Sequence, residues 1–215
     1  MEGEVLKGVL ITLEGNEGSG KSTQIKLLTA HLKKNGRRVF TTREPGGTAI
    51  GDGIRAILLD PRHTRMSALT ETLLYMASRA QLVEEVILPR LRKGEVVLCD
   101  RWLDATLAYQ GYAGGVPVKW IKELGKTATQ GVRPALSLYL DLPVAVGLGR
   151  ARRSSGPDRI ENKALSFHKK VRAGFLQIAR EEPKRFRRMA IKPGESIGQV
   201  HERIKAEVAR VLRGR

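Results

Sequence analysis

Cysteine is nearly absent from this chain. Cys99 is the single one in 215 residues, so no disulfide can form within it and a reducing compartment, the cytoplasm, is the expected place of work. No apolar run approaches the ~20 residues that a membrane span needs, and the first residues, with Glu2 and Glu4, lack the basic-then-apolar layout of a secretory signal. Aromatic residues make up only 5%, too few for the stacking platforms that hold single-stranded nucleic acid, and no nucleic-acid motif is recognisable, so no such partner is expected. Acidic residues are also scarce, 22 against 39 lysines and arginines, for a formal charge of +17. A surplus of that size attracts phosphate in any form; the runs Lys33-Lys34, Arg37-Arg38 and Arg185-Arg187-Arg188 read equally as solvated surface. No repeat, low-complexity tract or long polar linker divides the chain, and residues 1–215 are read as a single domain.

What is present begins with one stretch. Gly15-Asn16-Glu17-Gly18-Ser19-Gly20-Lys21-Ser22 completes the pattern G-x-x-x-x-G-K-S directly after the apolar run Val9-Leu10-Ile11-Thr12-Leu13. In that setting the glycines let successive backbone N–H groups turn inward around a phosphate. Lys21 neutralises the outer charge, the Ser22 hydroxyl is placed for a magnesium ion, and Thr23 completes the stretch expected to bind the nucleotide. The positive end of the helix that opens near Lys21 points into the same cradle. A nucleoside triphosphate with magnesium is the expected ligand; a glycine-rich turn without a ligand is the alternative.

Short apolar runs alternate with longer helix-period segments almost to the end, which predicts an α/β fold with a parallel sheet covered by helices on both faces. Strands are expected at 9–14, 38–42, 96–99, 136–141 and 186–191. Helices are expected at 21–35, 50–59, 69–92, 102–109, 118–131, 145–152, 162–181 and 197–212, with Pro89 kinking or ending the third. Ligands of open parallel sheets gather beyond the carboxyl ends of the strands. The residues there are 14–22, 43–47, 100–101, 141–143 and 192–194, and several carry charge suited to phosphate or magnesium.

Asp100 ends an apolar strand, as the second magnesium-associated element of P-loop enzymes does; capping the helix expected from Trp102 is its other reading. Arg101 beside it suits an acceptor phosphate or a surface ion pair. Glu17 is out of place in a loop meant for a triphosphate, because several phosphate charges would repel it. It either faces away from the donor or is simply exposed. Tyr75 and Arg79, four apart, share a helix face. That pairing suits a base stacked on the ring and bonded at its edge, or else a core tyrosine with an exposed arginine. Arg150, Arg152, Arg153 and Arg159 flank Ser154-Ser155-Gly156-Pro157, which reads as a mobile lid over about 150–160 or as a solvated basic loop.

Together, Arg43-Glu44-Pro45-Gly46-Gly47-Thr48, Ser78-Arg79-Ala80-Gln81, Asp100-Arg101-Trp102 and Ala108-Tyr109-Gln110-Gly111 resemble the ordered motifs of thymidylate kinases, dTMP kinases of the bacterial kind. The likeness covers most of the chain, and the combination is far more specific than the phosphate loop alone. It implies a P-loop nucleoside monophosphate kinase fold with a five-stranded parallel sheet and a short lid, a homodimer, and ATP-dependent, magnesium-assisted phosphorylation of dTMP to dTDP. It also implies roles. Glu17 would accept a hydrogen bond from the sugar 3′-hydroxyl, and Tyr75, where a Phe is usual, would stack on the base. Arg79 would reach O4 of thymine. Thr106, in place of a more usual serine, and Gln110 would meet the N3 edge, and Tyr109 would sit under the deoxyribose and crowd a 2′-hydroxyl. Glu44 belongs to the acceptor side, and Arg55 and Arg101 would hold the acceptor phosphate. In this family, enzymes with no basic side chain in the phosphate loop carry the catalytic arginine in the lid. Asn16, Glu17, Gly18 and Ser19 are not basic, so Arg153, with Arg150 and Arg152 as the alternatives, is expected to act with Lys21 and Arg101, and Arg150 to touch the donor. Leu82, where a histidine is common, and Lys192-Pro193-Gly194, on the adenine side of the donor, depart from the pattern. A dUMP kinase of the same fold is the nearest competitor, since uracil lacks one methyl, worth ~1–3 kcal/mol.

Overall fold

The computed structural model describes residues 6–154, 158–192 and 194–213. Five parallel strands, β1 (Val9–Glu14), β2 (Val39–Arg43), β3 (Val96–Asp100), β4 (Leu136–Asp141) and β5 (Phe186–Ala190), lie in the order β2-β3-β1-β4-β5. β1 is central and buried along its whole length, which is why it reads as a near-continuous apolar run instead of an alternating one. Its register sets Leu13 opposite Asp100 on one side and Glu14 opposite Tyr139 on the other. The carboxyl ends of β1, β3 and β4 thus share one edge.

One face of the sheet is covered by α1 (Lys21–Lys34) and α9 (Ile197–Arg213). Val9, Ile11 and Leu13 pack there with Ile25, Leu28 and Leu32 and with Val200, Ile204 and Val208, spaced as the apolar stripe of an amphipathic helix requires. On the other face Leu10, Val97 and Cys99 meet Leu82, Val83, Leu91 and Trp102. Beside them Phe175, from α8 (Leu165–Glu181), stacks on Tyr139 with ring centroids 4.7 Å apart. That face of β1 also carries a polar row: Thr12 donates to Ser137 at 2.8 Å, Ser137 to Asp104 at 3.2 Å, and Arg185 closes an ion pair with Asp104 at 2.7 Å. Thr12, Ser137, Asp104 and Arg185 thus each find a partner within this row, as low local polarity demands.

Several expected boundaries move. The helix expected at 69–92 is α3 (Ala68–Leu82), which passes through a π-helical turn, Val83–Ile87, into α4 (Leu88–Arg92). Pro89 does not end it. A residue without an N–H is tolerated where the i→i−4 ladder is already interrupted. The helix expected at 102–109 is the short α5 (Leu103–Thr106) followed by π-helical Leu107–Ala113. Helix α6 (Val118–Ala128) stops before 131, and α7 (Val144–Ser154) runs into the stretch read as a lid, whose Ser155, Gly156 and Pro157 lie outside the described residues. The strand expected at 38–42 is shifted by one residue, and α8 starts later than 162. Helix α2 (Ala49–Leu59) is capped by Thr48, whose Oγ1 accepts from the Gly51 N–H at 2.9 Å. Among the described residues no helix is long and apolar enough to cross a membrane.

Candidate active site

A cavity of about 1150 Å³ opens at the carboxyl edge of the sheet. It is lined by Glu17, Gly18, Ser19, Gly20, Lys21, Ser22 and Thr23 and also by Glu44, Arg55, Tyr75, Arg79, Asp100, Arg101, Thr106, Tyr109, Gln110 and Arg150. Of the residues singled out from the sequence, Gly15 and Asn16 stand behind this surface as the root of the loop, and Arg153 is exposed and does not line the cavity. The Arg152 side chain and Pro193 lie outside the described residues.

The loop folds as its glycines permit. Gly20, the N-cap of α1, has φ 92°, a left-handed conformation that costs glycine little. Gly18 and Gly147 form a close crossing: a Cβ on Gly147 would collide with the Glu17 carbonyl, and one on Gly18 with the Gly147 carbonyl. Helix α7 is thereby seated directly on the loop. Lys21 Nζ donates to the carbonyls of Gly15 and Asn16, each at 3.1 Å. Ser22 Oγ donates to Asp100 Oδ2 at 3.0 Å. Asp100 therefore faces the loop, and α5, whose N-cap is Trp102, has no side-chain cap.

Arg101 links this cradle to the rest of the cavity. It has φ 73°, unusual for a residue with a side chain and a mark of strain held for position. Its guanidinium donates to the Gly15 carbonyl at 2.9 Å and to Glu17 Oε1 at 3.0 Å. Tyr109 donates to the same Glu17 oxygen at 2.7 Å, and His168 Nδ1 lies 3.4 Å from Oε2. Burial disfavours the ionised Glu17, but His168, Arg101, Lys21 and Tyr109 outweigh it and hold its carboxyl well below the usual range. Glu17 thus faces Arg101, Tyr109 and His168 and is only 9% exposed. Glu14 behaves in the opposite way: burial, then the charge of Asp104, push its carboxyl well above the usual range despite Arg101.

The motifs TREPGGT and SRAQ interlock. Arg79, 1% exposed, donates to Glu44 at 2.5 and 2.8 Å and to Thr106 Oγ1 at 3.0 Å, while Ser78 Oγ accepts from the Gly46 N–H at 3.1 Å. Glu44 is therefore the counter-charge that lets Arg79 be buried. Tyr75, half-buried, lines the same cavity one turn earlier on α3, and burial raises its hydroxyl pKa well above 10. Arg55 donates to the Pro45 carbonyl at 2.9 Å. Sequence reasoning passed over His168, Glu71 and Lys163, and read Arg159 with the lid arginines, whereas it holds Glu71 together with Lys163. Glu71 had a signal, since it precedes Tyr75 by the same four residues that separate Tyr75 from Arg79. His168 had none.

Among the described residues no three His, Cys, Asp or Glu side chains cluster as a metal site. One hydroxyl and one carboxylate, Ser22 and Asp100, side by side on the cavity wall, nevertheless fit magnesium, which keeps several waters and takes its other oxygens from substrate phosphates.

The sequence model of thymidylate kinase matches residues 13–204. The chain is 49% identical over 214 residues to the thymidylate kinase of Pelobacter propionicus, covering 97% of this chain and 95% of that one. It is 49% identical over 180 residues to the thymidylate kinase of Deinococcus radiodurans, covering 84% and 87%. The crystal structure of thymidylate kinase from Ehrlichia chaffeensis superposes with a TM-score of 0.75 at 30% identity, covering 94% of this chain and 98% of that one. The P-loop nucleoside monophosphate kinase fold is common to both.

Burial, then the neighbouring Arg101, bring the Lys21 ammonium down to about 8, while Asp100, Glu17 and Glu14 resist the shift. The sign is fixed: below pH 8 the ammonium form prevails, above it the neutral amine. A bound triphosphate favours the ammonium, so affinity of the free protein for an ATP analogue should weaken above that pH, by up to about tenfold per unit. Calorimetric titration from pH 6.5 to 9.5 measures this. The slope should vanish in Lys21→Met, and a flat wild-type profile would contradict the assignment.

Proposed function

The chain belongs to the thymidylate kinase family, which transfers a phosphoryl group from ATP to dTMP to give dTDP, and from that premise we propose how its residues divide the work. The observation that carries the proposal is one cavity lined both by the phosphate loop and by Tyr75, Arg79, Thr106 and Gln110, with Glu17 and Arg101 joining them. The donor triphosphate takes the loop from Gly15 to Thr23, with Lys21 on its outer phosphates and Arg150 beside it. The thymine stacks on Tyr75, Arg79 donates to O4, and Thr106 and Gln110 meet N3–H. Glu17 accepts from the 3′-hydroxyl, and Tyr109 lies against the deoxyribose. Glu44 acts through Arg79. Ser22 and Asp100 would hold magnesium, which when bound supplies charge neutralisation to the donor phosphates.

The acceptor phosphate is itself the nucleophile. A phosphate monoester loses its second proton with a pKa of about 6, so it is already mostly dianionic at neutral pH and no strong general base is needed. The chain must instead keep two anions in line. Arg55 and Arg101 fix the acceptor by charge-assisted hydrogen bonds, and Lys21 with the lid arginines stabilises the charge spread over the transferred group. Val146 and Arg150 line the cavity, and Arg153 continues their helical stripe one turn further out. Arg153 therefore acts once the lid closes.

The same reading makes the chain a single-domain cytoplasmic enzyme and a homodimer. On the packed pair α2 and α3, Ile50 and Ile57 are 58% and 46% exposed, and Leu69 and Leu73 are 51% and 46% exposed. Each pair shares one helix face, and together they leave an apolar surface that a second copy would cover.

Four outcomes are expected. Steady-state rates with dTMP should exceed those with dUMP, dCMP, dGMP and AMP, and Arg101→Ala should lower turnover severely with an unchanged melting profile; equal rates on all nucleotides, or a near-normal variant, would overturn the assignment. Arg153→Ala should reduce turnover by about 10³-fold with nucleotide affinity little changed. A loss of affinity alone there, with turnover lost in Arg150→Ala, would move the catalytic role to Arg150. Light scattering should give a dimer for the wild type and a monomer for the double variant Ile57→Asp/Leu73→Asp; a monomeric wild type would remove the dimer.

A further inference from the structure

We propose that Glu71 sets the base specificity of the pocket by fixing which end of the Gln110 amide faces the nucleotide; the inference rests on Gln110 reading the base edge, as above. Glu71, Tyr75 and Arg79 fall at successive turns of one face of α3. Glu71 is 2% exposed, and its Oε1 accepts from Gln110 Nε2 at 2.6 Å. A carboxylate flanked by cations only accepts hydrogen bonds, so it must meet the nitrogen of the amide. The amide oxygen is thereby turned to the cavity that Gln110 lines. An acceptor at that position matches the N3–H of a thymine and opposes the bare N3 lone pair of a cytosine.

Two cations flank Glu71 and hold it in place. Arg159 Nη2 lies 2.6 Å from Oε2, and Lys163 Nζ donates to both oxygens at 3.2 Å. Arg159 is itself anchored by donating to the Leu58 carbonyl at 2.6 Å. The arrangement predicts the effect of a single neutral replacement. In Glu71→Gln the one remaining oxygen is claimed by Arg159 and Lys163, so the new NH₂ faces Gln110. Gln110 must then answer with its oxygen, turning its own NH₂ toward the base. The pocket becomes a donor at N3, which suits cytosine.

The experiment compares kcat/KM for dTMP and dCMP across variants, with thermal melts alongside. In Glu71→Gln the dTMP value should fall and the dCMP value rise, shrinking their ratio by at least about tenfold, the scale of one mispaired buried polar group. Glu71→Asp, still only an acceptor, and Lys163→Met, which leaves Arg159 on Oε2, should each keep most of the ratio. If Glu71→Gln folds poorly, Glu71→Gln/Lys163→Met preserves the local net charge and should show the same shrinkage. A merely structural Glu71 would lower both substrates in proportion. An unchanged ratio in the Glu71 variants, with Gln110→Ala collapsing it, would overturn the positioning role alone. An unchanged ratio in Gln110→Ala would overturn the base-edge reading and this inference with it.

Discussion

A largely enclosed guanidinium directly after β3, Arg101, 19% exposed, sets the conditions for everything around it. Arg101 holds a backbone conformation, φ 73°, that costs a residue with a side chain about 1–3 kcal/mol, and it does so beneath the phosphate loop. Burial opposes its charge, but Tyr109, Glu17, Asp100 and Glu14 more than compensate. In return it donates to the loop carbonyl of Gly15 and draws Glu17 out of the path of the phosphates. This is how an acidic residue can sit inside an anion cradle. The same charge presses on Lys21 and helps to lower its affinity for a proton. Glu14, driven toward its neutral form, adds less negative charge beneath the loop than a count of carboxylates suggests.

The sequence shows the middle of its sheet plainly because β1, β3 and β4 are short, mostly apolar and buried almost throughout, whereas β5 carries Arg187 and Arg188 on its exposed positions. The phosphate loop is equally plain, since its chemistry demands particular residues at consecutive positions. The pairings that complete the site are harder to see. Glu44 with Arg79 spans 35 positions and Lys163 with Glu71 spans 92, and no local period encodes a partner at that distance. The π-helical turns escape for a related reason. Val83–Ile87 and Leu107–Ala113 carry the same residue types as an ordinary helix, and only the packing around them selects the wider turn. Gln110 lies within the second, between the cavity and Glu71.

Helix α8 draws the two halves of the cavity together. Near its start Phe167 lies edge-on to Tyr109, with centroids 6.3 Å apart, and the Lys163 ammonium lies 4.3 Å from the centre of the Phe167 ring. One residue later the His168 carbonyl accepts from the Asn16 amide at 3.3 Å, while its ring faces Glu17. The helix therefore touches the root of the phosphate loop, the group assigned to the sugar and the cation that holds Glu71. Each contact is modest by itself, but they share one rigid element and cannot shift independently.

That anchoring limits where a lid can move. On one side α7 is seated on the loop through the crossing of Gly147 and Gly18, which leaves no room for a Cβ on either. On the other, Arg159 is buried and tied both to Leu58 and to Glu71. Displacing either anchor would distort the phosphate loop or take from the buried Glu71 one of its two cations, at a cost of several kcal/mol. The proposed lid therefore falls between two fixed points, Gly147 and Arg159. Arg150 and Arg153 are the described cations within that span. On the proposed roles, the base-reading side chains and the lid arginines therefore stand on separate parts of one wall.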